Sequence, residues 1–304
     1  MNESFIYKYK PRSFEKMYIN QNIRYIIDNI LNNRNINILF VGNNESGKTT
    51  IINLLHKLID NSLLINNLKE KGIKTFRTDI KFYCQLTIKQ KTLLIDDYEY
   101  INESTQYIIK VLMDTYKKNL YIASVKDIKK IIEPLQNKFM IIKLDNITND
   151  YLNVLLNNVI KEEHMALNDK CIKYIIKISN FSVNKMYNYL EKLKLMNERI
   201  TYNKCLSVLT NISHHIFEEI IHDINEKNVL NVYNNFNNLY IKGYSIIDIY
   251  DIFYTFIKIT DNVSEVTRYK IIRLLCEYIT ATDSIGEIGT EMLLFSYELC
   301  TVEL

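Results

Sequence analysis

Apolar positions in the first half of the chain fall into short unbroken runs, separated by stretches with helical spacing. Ile36-Asn37-Ile38-Leu39-Phe40-Val41 is rich in β-branched and aromatic residues and ends in Gly42, the pattern of a buried strand. Thr92-Leu93-Leu94-Ile95, Leu120-Tyr121-Ile122-Ala123-Ser124 and Met140-Ile141-Ile142-Lys143-Leu144 repeat it three times. Between them, residues 50–58 and 103–116 carry apolar side chains at helical intervals. Strands alternating with helices predict a parallel sheet covered on both faces. After about residue 145 the pattern is helical throughout, with segments at 151–160, 169–178 and 184–195 that predict a small bundle. A second all-helical region begins near residue 202 and turns at Lys242-Gly243-Tyr244 and again around Gly286 to Gly289. The expected fold is therefore an α/β domain with a parallel sheet over 1–145, then all-α parts over 146–203 and 204–304.

Composition adjusts this picture modestly. A chain of 304 residues is long for one core, which agrees with several domains. Six glycines and two prolines are few, which favours long helices. A formal net charge of +3 neither identifies nor excludes a nucleic-acid binder. The cysteines at 84, 171, 205, 276 and 300 form no C-x-x-C pair or zinc-spaced cluster, and are expected to be reduced and buried. His214-His215 reads as helix surface rather than as a ligand pair. The polar start and the lack of a span-length apolar stretch predict a soluble, intracellular chain with no membrane partner. The 23 tyrosines and 12 phenylalanines mostly recur at helical spacing within apolar runs, so core packing is expected of them rather than base stacking.

The candidate chemistry begins at Gly42-Asn43-Asn44-Glu45-Ser46-Gly47-Lys48-Thr49, which fits G-x-x-x-x-G-K-[ST] at every required position. Two glycines let such a loop turn its N–H groups toward phosphate oxygens, and the N-terminus of the following helix adds a favourable field. Lys48 is expected to reach the β- and γ-phosphates of ATP, and the Thr49 hydroxyl to ligate Mg²⁺, with Thr50 beside it. A strand before the loop and a helix after it supply the context the motif requires. The second half of such a site is an acid at the end of a neighbouring strand, and Leu93-Leu94-Ile95-Asp96-Asp97 provides two. Asp96 is the expected Mg²⁺ partner, and Asp97 occupies the place of a water-activating carboxylate.

Several further stretches resemble the replication factor C small subunits, AAA+ proteins of sliding-clamp loaders. Lys8-Tyr9-Lys10-Pro11-Arg12-Ser13-Phe14-Glu15-Lys16 is similar to that family's K-Y-R-P-x-x-[LF]-x-[DE] opening, with Asn20-Gln21 in the place of its G-Q. The segment from Glu70-Lys71-Gly72-Ile73 through Arg77 to Lys81 resembles E-R-G-I-x-x-[VI]-R-x-x-I-K. Asp96-Asp97-Tyr98-Glu99 stands for the D-E-A-D box and continues through Gln106, Lys110, Met113 and Tyr116 to Ile131-Ile132-Glu133-Pro134-Leu135-Gln136, close to I-I-E-P-[IL]-Q. Looser matches follow, at 178–185 for the family's I-S-G-G-D-M-R-[RK] and at Gly243-Tyr244-Ser245 with Asp248-Ile249 for its collar motif.

The resemblance implies an AAA+ domain, a helical lid and a collar that joins subunits into a hetero-pentameric ring. Such rings bind ATP and Mg²⁺ between neighbours and load a PCNA-like clamp onto primer–template DNA, in a nucleus or a viral replication compartment. It implies nucleotide contacts at Tyr9, Pro11, Lys126, Asn184 and Lys185, and DNA contacts at Arg77, Lys81 and Lys110. Arg77 and Lys81 lie four apart and share a helix face.

The chain departs from the family where ATP would be hydrolysed. Asp97 replaces a glutamate and is one methylene shorter. Lys138, in Asn137-Lys138-Phe139, replaces the arginine finger of S-R-C and lacks its planar fork. Lys126 stands at the sensor-1 asparagine and Asn184 at the sensor-2 arginine, with Lys185 next to it. The expectation is a subunit that binds ATP firmly and hydrolyses it slowly. A non-hydrolysing structural subunit of such a ring, or another AAA+ replication protein such as an initiator, are the alternatives.

Overall fold

Strand runs in which every residue is apolar need cover on both faces, and the chain supplies it with helices on either side. The computed structural model describes residues 3–33, 36–66, 73–88, 90–196, 200–209, 212–260, 262–281 and 288–302. Within these, residues cluster into two compact units, one from Met1–Val154 with Phe181–Asn184, the other from Leu155–Asn180 with Lys185–Leu304.

The first unit holds a five-stranded sheet of β1 (Ile38–Val41), β2 (Ser62–Ile65), β3 (Thr92–Ile95), β4 (Leu120–Val125) and β5 (Met140–Lys143). All pairs are parallel, in the order β2-β3-β4-β1-β5. The pattern reading gave four of these strands; β2 is the addition. Its run Ser62-Leu63-Leu64-Ile65 is separated by only three residues from a helix that ends at Leu58, and a short apolar run carries no periodicity that separates strand from helix. Pairing with β3, Leu63 opposite Leu93 and Leu64 opposite Leu94, decides it.

Alternation along β1 divides the core. Ile38 and Phe40 face one side and pack with Ile23, Ile27 and Ile30 of α1 (Gln21–Asn33) and with Ile51, Ile52 and Leu55 of α2 (Lys48–Leu58). Leu39 faces the other side and packs with Ile80 and Cys84 of α3 (Ile73–Gln85) and with Ile109 and Met113 of α4 (Glu103–Thr115). The spacings 23/27/30 and 51/52/55 are those of one helical face. Asn102 caps α4 by accepting the Thr105 N–H at 3.1 Å.

The second unit is helical. It contains α6 (Asp169–Ser179), most of α7 (Val183–Leu195), α8 (Tyr202–Val208), α9 (His214–Asn225), α10 (Val229–Ile241), α11 (Ile246–Ile259), α12 (Glu265–Ala281) and α13 (Ile288–Thr301); α5 (Asn149–Glu162) begins in the first unit. Its core is aromatic: Phe217, Phe236, Phe253 and Phe295 meet at centroid separations of 5.3 to 5.6 Å. These rings pack the core, in line with the sequence reading. The turn read at Lys242-Gly243-Tyr244 joins α10 to α11. Gly289 lies in the first turn of α13, whereas Gly286 is outside the described residues.

Two expectations change. Cys276 is exposed, unlike the other four cysteines, and all five are free thiols. His214 is not on the surface; it is 3% exposed, with Nδ1 2.9 Å from the Tyr174 hydroxyl and Nε2 buried without a partner. Helix phase explains this, because residues 214, 217, 221 and 224 form the buried stripe of α9 and His215 turns outward, toward Glu219 at 3.2 Å.

Burial pushes the His214 pKa down to about 4. A depressed histidine pKa contributes stability that is complete above the unfolded value near 6.5 and is lost as pH falls toward 4. Lowering the pH from 7 to 5 should therefore cost about 2 kcal/mol through this residue. Thermal melts at the two pH values should show a drop that His214→Leu largely removes. An equal drop in the variant would assign the acid sensitivity to other groups.

Candidate nucleotide site

Both halves of the predicted site lie at the carboxyl ends of parallel strands, where the backbone leaves the sheet. The loop leaves β1 at Val41, and the Gly42 N–H donates to the Val125 carbonyl of β4 at 3.2 Å. Gly42 has no room for a side chain: an added Cβ would lie 2.5 Å from Ser46 Oγ and 3.2 Å from Leu144 Cβ. Gly47 sits at φ +89°, a left-handed conformation that side chains resist, and leads directly into α2. The helix N-terminus thus opens onto the loop, as an anion site requires.

Lys48 is buried, and its ammonium donates to the Gly42 and Asn43 carbonyls at 2.7 and 2.6 Å. Burial lowers its pKa, and the charges of Asp97, Glu99 and Asp96 oppose that shift in decreasing order. The loop, both predicted acids and Lys126 therefore share one electrostatic neighbourhood. Thr49 and Thr50 follow in the first turn of α2, Thr49 exposed and Thr50 partly so. Asn43 is tied to Asn146, amide to amide, at 3.1 Å, and Asn44 is exposed at the loop tip.

The acids are held by one hydroxyl. Ser124, at the end of β4, donates from Oγ to the Asp96 carboxylate and accepts the Asp97 N–H at 3.0 Å. Asp96 is 6% exposed, and Asp97 takes a left-handed backbone at φ +51°. Glu99 accepts the N–H groups of Lys126 and Asp127, the latter at 3.3 Å, and so joins the segment after β3 to the segment after β4.

Glu45 and Ser46 set this loop apart. Glu45 has φ +64°, and its carboxylate accepts the Asn184 N–H at 3.4 Å. Ser46 Oγ is buried with no hydrogen-bond partner. An orphaned hydroxyl inside the loop, a buried ammonium and a buried carboxylate on the adjoining strand fit a phosphate group accompanied by a divalent cation.

The remaining predicted residues lie on other elements. Tyr9 ends the one-turn helix Phe5–Lys8, edge-on to Phe5 at 5.6 Å, with Pro11 two residues on. Lys185 belongs to the second unit, where it lines a cavity with Asn188, Tyr189 and His214. Arg77 and Lys81 both fall on α3, and Lys110 on α4. The preceding motif residues Glu70 to Gly72 are outside the described residues. Lys138 follows the one-turn helix Glu133–Gln136 and reaches Asp114 at 2.6 Å. Buried Gln106 explains its place in the motif: its amide donates to the Ile101 and Lys130 carbonyls and accepts the Ile132 N–H, all at 2.9 Å.

Ser124 and Asp114 were not singled out from the sequence, and Glu99 was read only as a motif letter. Ser124 left a faint signal as the polar residue ending a buried strand run.

No protein-family model matches the chain. A putative replication factor C small subunit of Acanthamoeba polyphaga mimivirus is 26% identical, covering 90% of this chain and 89% of that protein. The replication factor C small subunit of Thermofilum pendens is 24% identical over 75% of this chain and 74% of its own length. Among solved structures, the Thermotoga maritima RuvB Holliday junction branch migration motor superposes with a TM-score of 0.52 at 14% identity, covering 71% of this chain and 79% of that one. The RuvB likeness bears on the fold alone. With its parallel sheet, its phosphate-type loop and this sequence similarity, the chain has an AAA+-type fold and is similar to the replication factor C small subunits.

Proposed function

We propose that the chain is a subunit of a DNA sliding-clamp loader that uses ATP binding to load a PCNA-like clamp onto primer–template DNA. The carrying observation is the pairing of a buried Lys48 in a glycine-turned loop with the Asp96–Asp97 strand end. The similarity to replication factor C small subunits over 90% of the chain points the same way. In this reading residues 1–145 are the nucleotide domain, 146–203 the lid and 204–304 a collar that joins sister subunits in a hetero-pentamer.

ATP would lie along residues 42–50, its phosphates taken by the loop N–H groups, Ser46 Oγ and Lys48. Thr49 and Asp96 would hold Mg²⁺, which supplies charge neutralisation of the phosphates when bound. Tyr9, Pro11, Lys126, Asn184 and Lys185 are the further nucleotide contacts of this reading. Asp97 is the candidate water-orienting carboxylate. Its short side chain and its N–H bond to Ser124 favour slow hydrolysis. Lys138 is the candidate finger toward the neighbouring subunit, with charge but without a guanidinium fork. The same observations favour, as second reading, a ring subunit that binds nucleotide without turning it over.

Affinity purification of the tagged chain from its native source tests the function. Sister subunits and a sliding clamp should co-purify, and recovery of the chain without either would overturn the reading. ATP turnover of the purified ring then separates the two readings.

Glu45 places a carboxylate and a strained backbone inside an anion cradle. Glu45→Gly should tighten ATP binding roughly three- to tenfold, since each 1.4 kcal/mol is tenfold. Equilibrium titration with a fluorescent ATP analogue measures it, and weaker binding would show that the tie to Asn184 matters more than the repulsion.

Arg77, Lys81 and Lys110 are the candidate contacts to the DNA backbone. Charge reversal of Arg77 and Lys110 together should weaken primer–template binding and flatten its salt dependence, by roughly 0.9 in log–log slope for each phosphate that is no longer neutralised. Unchanged affinity at low salt would remove these residues from the DNA surface.

A further inference from the structure

Two lysines with separate candidate roles meet on one carboxylate. Lys138 Nζ lies 2.6 Å from one oxygen of Asp114, and Lys110 Nζ lies 3.4 Å from the other. Lys110 and Asp114 are one turn apart on α4, whereas Lys138 arrives from the turn before β5. The hydrogen bond from Lys138 holds the Asp114 carboxyl below the usual carboxylate range, and Lys110 acts in the same direction.

The root of Lys138 is as fixed as its tip. Its N–H donates to the Leu135 carbonyl at 3.0 Å, its own carbonyl accepts from Asn37 Nδ2 at 3.4 Å, and the next residue, Phe139, is buried. The side chain between these anchors stays 41% exposed. A lysine otherwise spreads over many rotamers, and unlike arginine it has no rigid fork to limit the loss when it docks. Its ammonium carries three donors, so one bond to Asp114 leaves two for phosphate oxygens. Two ammonium groups against one carboxylate leave the cluster positive, which keeps it attractive to an anion.

Resting on the clamp-loader reading, we propose that Asp114 is a positioning residue: it presents the Lys138 ammonium to the nucleotide of the neighbouring subunit, and Lys110 keeps the cluster cationic. Asp114 restores by pairing the preorganisation that the missing guanidinium would have supplied.

The test uses the ring assembled with its sister subunits and follows steady-state ATP turnover. Asp114→Asn should lower kcat by about tenfold, the scale of a displaced catalytic group, and leave KM for ATP unchanged. An exposed pair of this kind adds little to stability, so the melting temperature should hold. Asp114→Glu should recover part of the rate. Lys138→Ala should be slow as well, and the double variant no slower than Lys138→Ala alone. A normal or raised kcat in Asp114→Asn beside a slow Lys138→Ala overturns the positioning role and leaves the clamp-loader reading standing. An additive double variant overturns it too, since Asp114 would then act apart from Lys138. Full turnover in Lys138→Ala overturns both the finger assignment and this inference.

Discussion

The insertion of β4 between β1 and β3 is the constraint on which the rest of the first unit depends. Its backbone pairs with β1 on one side, Phe40 opposite Ser124, and with β3 on the other, Ile95 opposite Ala123. That double pairing places the end of β4 between the loop that leaves β1 and the acids that end β3. The Gly42 N–H then bonds to the Val125 carbonyl, and Ser124 reaches both Asp96 and Asp97. A one-residue slip of β4 would turn Ser124 to the opposite face and leave the Asp96 carboxylate buried without that partner.

Charge in the site follows from the same layout. Lys48 is buried deeply enough for its pKa to fall, yet three acids surround it, and two loop carbonyls accept from its ammonium. A cation paired in this way is held ready without being left uncompensated. The loop's own carboxylate works against it. Glu45 occupies a left-handed position inside the phosphate-type turn, and its charge is directed at the Asn184 N–H. Left-handed non-glycine residues also occur at turns outside this loop, such as Asn61, Gln90 and Asn180, but at Glu45 the strained backbone coincides with a charge inside the phosphate-type loop.

Much of the first unit was legible in the sequence because its elements announce themselves locally. Ile38-Leu39-Phe40-Val41 is apolar on both faces, Gly42 and Gly47 bracket a turn, and residues 51, 52 and 55 mark one helical stripe. β2 was not legible, since Ser62-Leu63-Leu64-Ile65 becomes a strand only through β3. His214 was misread because adjacent histidines look alike in sequence, and only the phase of α9 sends one inward and the other outward. Asp114 could not be found, because its partner Lys138 lies 24 residues away on another element.

What the sequence determined by itself was the alternation of four of the five strands with helices, the all-helical second half, and the chemistry of the phosphate-type loop. Those depend on neighbours in the chain, through residue pattern, turn conformation and the charge of Lys48. The tertiary structure alone decided the sheet order, the burial of His214, and the ties of Ser124 to two acids and of Asp114 to Lys138. Each of these rests on groups brought together across the sheet or between helices, and parallel pairing and helix phase set such meetings.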